Sequence, residues 1–206
     1  MPNATGITGW TLMSSPEGGE HTPCLMHPTE NQVIVVGWDD VPKEKVKEWA
    51  EQGYVEAIFQ LGKISLDEQD YRNAWSLFLK GAEKDDKFCF FYLGVMLDQG
   101  LGIEKNRTLA IQKYQRAADL GHGDSQYNVA QAYMFGNGVQ KNYQKALYYF
   151  IKSADNGDAE SCFNVGILYS SGVEIQPDID LALSYFHKAL ELGDERAQEM
   201  IEQYQS

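Results

Sequence analysis

The residues best suited to chemistry lie near the N-terminus, where His21, Cys24 and His27 stand three apart in His21-Thr22-Pro23-Cys24-Leu25-Met26-His27. Two imidazoles and a thiolate would grip zinc or copper if Glu20 or Glu30 completed the shell. That spacing is not a zinc pattern, and no second cluster follows it. The segment reads as a polar loop with incidental histidines, and no metal is expected. Cys89 and Cys162 are the other thiols. A nucleophilic cysteine needs a partner that lowers its pKa and access to substrate. Neither has a histidine at useful spacing, and both fall where small packed residues belong. His122 and His187 are solitary and are expected at the surface. Gly100-Leu101-Gly102 and Gly136-Asn137-Gly138 are turn glycines rather than phosphate cradles. No catalytic residue and no cofactor emerge, so the chain does not read as an enzyme.

Composition narrows the partner. The 206 residues carry 17 Lys and Arg against 30 Asp and Glu, a net charge of −13. Such a surface repels phosphate backbones and anionic membranes, which argues against nucleic acid and lipid. A protein partner fits, and a basic one fits best. No run of about eighteen apolar residues exists to span a membrane. Met1 to Pro16 has no basic residue and no continuous apolar core, so it does not read as a secretory signal. The odd number of cysteines, three, reads as free thiols in a reducing compartment, the cytoplasm.

The elements that position side chains show by subtraction. Gly121, Gly157 and Gly193 lie 36 residues apart, as do Gly100, Gly136 and Gly172. Ala74, Ala110, Ala146 and Ala182 keep the interval, and so do Lys80, Arg116, Lys152 and Lys188. Such a period marks a stack of helix–turn–helix units. In the third unit Ser125 to Tyr133 has helical spacing, Gly136-Asn137-Gly138 breaks the helix, Asn142 caps the next and Gly157 ends it. The first unit is shorter: Gly62 and Gly94 are 32 residues apart, and its turn, Ser65 to Asp70, lacks the glycines. A lone helix over residues 41–52, with Asp40 as N-cap, would open the array. A helix over residues 194–204 would close it, with Glu195, Arg196, Glu199 and Glu202 facing water.

These residues resemble the Sel1-like repeats, relatives of the tetratricopeptide repeats. The second unit matches through Leu93-Gly94, Gly100, Gly102-Ile103, Ala110, Tyr114, Arg116-Ala117-Ala118 and Gly121. The third matches through Tyr133, Gly136, Gly138-Val139, Lys145-Ala146, Tyr149, Lys152, Ala154 and Gly157. The fourth matches through Val165-Gly166, Tyr169, Gly172, Asp178, Ala182, Tyr185, Lys188-Ala189 and Gly193, but carries Glu174 where a second turn glycine belongs. The resemblance implies an all-α fold: a right-handed α/α solenoid of about four repeats with capping helices, covering residues 41–206.

Residues 1–40 form an arm of another kind, without Lys or Arg. Gln32 to Trp38 is a strong strand signal and Thr8 to Met13 a weaker one. The two would pair as a hairpin across a long loop and pack on the first helices, since a lone hairpin is marginal in water. The other reading is a flexible tail.

The resemblance also implies that the first helix of each pair lines an inner, concave surface. Phe59, Phe91, Tyr127 and Phe163 then form an inward aromatic column. Asn128 and Asn164 stand beside it, and Lys63, Val95, Gln131 and Ile167 lie four residues beyond each ring. Rings supply contact area and amides bind a peptide backbone. The competing reading is that the rings pack between layers. Lys63 alone would not make a clamp for a terminal carboxylate. The expected function is a non-enzymatic scaffold or adaptor holding a partner protein in this groove. The alternative is an immunity protein that neutralises a toxin or effector enzyme by direct binding.

Overall fold

The computed structural model describes residues 11–13, 24–26, 33–35 and 37–205. The described residues are all-α apart from three short strands, and the helices pack in consecutive pairs as a repeat solenoid. The chain divides into two compact units, residues 1–89 and 90–206.

In the first unit three strands form an antiparallel sheet: β1 (Thr11–Met13), β2 (Cys24–Met26) and β3 (Val33–Val35). Their order is β1-β2-β3, with Leu12 opposite Leu25 and Leu25 opposite Ile34. The two strand segments expected from sequence are present, but they do not pair with each other. The short apolar run at Cys24–Met26 intervenes and pairs with both. Leu12 and Leu25 face each other across the ladder and therefore project to the same side. Both are buried in one cluster with Val41, Val46, Trp49 and Ala57, so the described strands β1 and β2 pack on the first helices.

Helix α1 (Lys43–Glu51) buries Val46 and Trp49. Asp40 does not cap it. Asp40 closes a single 3-10 turn, Trp38–Asp40, and Pro42 takes the N-cap position in an extended conformation with no side-chain bond. Proline's fixed φ sets the chain's entry into the helix there. Helices α2 (Val55–Asp67) and α3 (Tyr71–Ala82) then pack as a pair. Gly62 makes this possible, because a Cβ there would lie 2.6 Å from the Phe78 ring. Asp70 caps α3 by accepting from the Asn73 amide.

Helix α4 (Lys87–Gln99) runs into the second unit. The others there are α5 (Arg107–Asp119), α6 (Gly123–Phe135), α7 (Tyr143–Asp155), α8 (Ala159–Ser171), α9 (Ile179–Glu191) and α10 (Arg196–Gln205). The 36-residue period recurs in the bonding. Asn106, Asn142 and Asp178 cap α5, α7 and α9, accepting from Leu109, Lys145 and Leu181. Tyr114, Phe150 and Phe186 keep the same interval and are all buried, two of them facing Gly94 and Gly166 closely enough that a Cβ would meet the ring at 2.5 Å. The alanines Ala110, Ala146 and Ala182 are fully buried. Helix α10 buries Ala197 and Ile201 and exposes Arg196, Glu199 and Glu202, with exposed Glu195 just before it.

Candidate functional site

The metal-like constellation gains nothing from the structure. His21 and His27 lie outside the described residues, and Cys24 is described only as part of β2. The two remaining thiols are packing residues. Cys89 is fully buried beside Gly81, and burial, with Asp86 next to it, pushes its thiol far above the usual range. Cys162 is buried in a cluster with Ala154, Ala182, Phe186 and Ala189, and burial raises its thiol too, against the opposing pull of Lys188. A thiol held protonated this way is a poor nucleophile.

His187 is exposed as expected, but His122 is not. It sits at an N-cap position that Asp86, Asp158 and Asp194 occupy in the other repeats, 36 residues apart. The Ser125 amide donates to its Nδ1 at 3.2 Å, and its ring stacks on Phe91 with centroids 4.5 Å apart. The imidazole is a cap and a packing ring together, and that removes it from solvent.

The candidate binding residues divide between the two units. In the first, Phe59 is buried at 7% exposure between Phe78 and Phe88, with the Lys63 ammonium 5.9 Å above it. Phe59 is therefore a core ring. In the second unit Phe91, Tyr127 and Phe163 are each partly exposed, as are Val95, Asn128, Gln131, Asn164 and Ile167. Each of the three rings rests its inner edge on the buried aromatic of the following helix: Phe91 on Tyr114, Tyr127 on Phe150 and Phe163 on Phe186. The rings thus pack between layers on one side, as the competing reading has it, and stay partly exposed on the other.

Tyr127 is the best presented. With Phe91, Gly123, Asp124, Asn128, Asn156, Gly157 and Asp158 it lines a cleft of about 540 Å3. The Gln131 amide donates to its hydroxyl, which fixes the ring's outer end. Burial, helped by Glu160, pushes the phenol up to about 12. The floor is rigid: Asn156 donates to Gln126 at 2.7 Å, and buried Gln126 donates to the Ala118 carbonyl. The lining residues include two carboxylates and no Lys or Arg. An aromatic floor under acidic walls suits a cationic or backbone ligand.

Helices paired in register, with caps and buried rings recurring every 36 residues, define a helical-repeat protein. The comparisons narrow that class. The Sel1 repeat model matches residues 55–86, 91–122, 123–158 and 159–194. The chain belongs to the Sel1 repeat family, and the shortened first unit is one of its repeats. Among solved structures it is similar to a protective antigen present in uropathogenic Escherichia coli strains that displays an SLR fold, with 28% identity and a TM-score of 0.72 over 79% of this chain. It is also similar to a Sel1 repeat protein from Oxalobacter formigenes, with 29% identity and a TM-score of 0.62 over 69% of this chain. The chain spans only 36% and 59% of those two proteins. No protein of curated function matches the sequence. Among the described residues no helix is long and apolar enough to cross a membrane. Repeat arrays of this class typically mediate protein binding.

Proposed function

We propose that this Sel1 repeat protein is a non-enzymatic scaffold that holds a segment of a partner protein on the outward rings of its first helices, centred on Tyr127. The observation that carries the reading is the cleft at Tyr127: a partly exposed ring fixed by the Gln131 amide, beside Asn128, in a pocket of about 540 Å3. Rigid amphipathic rings give contact area at little entropic cost, which is why tyrosine recurs at binding hot spots. The net charge of −13 supports a basic partner. The odd cysteine count supports a reducing, cytoplasmic setting. The same acidity supports a second form of the reading, an immunity protein that occludes a basic effector enzyme; a partner that loses its own activity on binding would mark that role.

The experiment is affinity capture from an extract of the native source with wild type and Tyr127→Ala as parallel baits, circular dichroism confirming that both are folded. A partner retained by wild type and lost with the variant is the expected result. A partner retained equally by both would move the binding surface elsewhere. No retained partner at all would contradict the scaffold itself.

A further inference from the structure

The three outward rings of the second unit occupy equivalent places, 36 residues apart, yet their surroundings differ. Phe91 is covered by the imidazole of His122, 4.5 Å away and nearly parallel. Phe163 is covered by the guanidinium of Arg196, 4.6 Å above the ring. That guanidinium also grips Asp194 with two bonds, Nε to Oδ1 at 2.8 Å and an outer nitrogen to Oδ2 at 2.6 Å. Ring, carboxylate and guanidinium together form a complete three-part arrangement. The carboxylate is held below its usual range by that pairing.

One period earlier the ring and the carboxylate are both kept. Tyr127 corresponds to Phe163, and Asp158 corresponds to Asp194. The position of Arg196 is held by Glu160, an acid. Among the described residues no cation lies over the Tyr127 ring. Arg196 acts on Tyr127 and Glu160 only through space, since its own contacts are Phe163 and Asp194. Tyr127 and Asp158 instead share an open cleft, with Asp124 also on its wall. Asp158 spends Oδ1 on the Ser161 amide at 2.6 Å. Its other oxygen retains acceptor capacity.

We propose that this cleft is a receptor for an arginine side chain of the partner, which completes in trans the arrangement that Arg196 completes in cis one repeat later. A guanidinium suits it better than an ammonium, because its plane stacks on a ring while its edge bonds a carboxylate. The proposal rests on the scaffold reading and specifies the chemistry of what is held.

The test uses the isotope-labelled full chain, titrated with acetyl-Gly-Arg-Gly-amide and with the counterpart carrying neutral citrulline, at one ionic strength. The arginine peptide is expected to shift amide signals of residues 123–128 and 156–158. The citrulline peptide should bind at least about fivefold more weakly. Asp124→Asn combined with Asp158→Asn should weaken the arginine peptide by a similar factor while sparing the α8 cap, because asparagine caps as well as aspartate. Glu160→Arg should place a guanidinium beside Asp158 in cis and abolish binding. Equal shifts with both peptides, or shifts spread over the whole acidic surface, would overturn the proposal. So would full binding by folded Glu160→Arg; if that variant does not fold, the asparagine pair decides. The titration needs no natural partner. Its failure removes the arginine receptor and leaves the scaffold reading, which fails only if wild type retains no partner.

Discussion

Glu174 shows how closely each residue answers to the repeat. It stands one period after Gly138 and two after Gly102, and all three have left-handed backbones, with φ of 55° at Glu174. A side chain in that region costs about 1–2 kcal/mol. Glycine would relieve this but lose more entropy on folding, by about 0.5–1 kcal/mol. Glu174→Gly is therefore expected to stabilise by about 0.5–1 kcal/mol in denaturant unfolding, and a loss of stability would mean that the side chain makes a contact outweighing its strain. At Asp194 the prediction is one of pH. Its carboxyl is held low chiefly by the hydrogen bonds from Arg196. The folded state thus takes up its proton later than the unfolded state does. The stabilisation is complete above the unfolded carboxyl's pKa, about 3.9, and is lost as pH falls through the lower folded value. Asp194→Asn should melt below wild type at pH 7, with the gap narrowing by about pH 3; a gap constant across that range would contradict the ion pair. What the sequence could not disclose at this scale is pairing. His122 looked solitary because its ring partner, Phe91, is 31 residues away, and its capping role shows only against the aspartates one period on either side.

At the scale of elements, the helices and their glycine turns were legible because a period survives substitution, whereas each contact depends on its own geometry. The interval of 36 exposed the alanine column and, in the third unit, the cap Asn142; the equivalent cap Asp178 emerged only from the structure. It could not reveal that β2 intervenes between the two strand segments, since Cys24–Met26 is only three residues long and lies in no repeat. Nor could it separate Phe59 from the other rings: that ring is buried because Phe78 and Phe88 both close on it. Ala146 belongs to a column with zero exposure. Ala146→Glu should bury an unpaired carboxylate and destabilise by roughly 3 kcal/mol or more, spreading to neighbouring repeats through shared interfaces. An unchanged melting temperature would break the repeat alignment. Leu25 has zero exposure against Trp49 and Val46. Leu25→Ala is expected to cost about 2–5 kcal/mol, read by thermal unfolding. A negligible change would make the arm an accessory rather than part of the first unit's core.

For the whole molecule, the proposed reading divides the work of binding between charge and rings. A net charge of −13 acts at long range and would steer encounter with a basic partner of the kind proposed, so added salt should slow association. Contacts at the rings act at short range and govern how long the complex lasts. Of the three partly exposed rings, Tyr127 isolates this effect best, because Phe163 is also covered by Arg196 and Phe91 by His122. The decisive measurement is surface-plasmon kinetics of the captured partner with wild type and Tyr127→Ala, at low and high salt, with circular dichroism as the folding control. The account predicts that the variant dissociates faster by a factor equivalent to about 1–3 kcal/mol, with association changed little, while salt slows association for both proteins. A folded variant whose dissociation rate equals that of wild type would contradict the claim that partners are held at Tyr127.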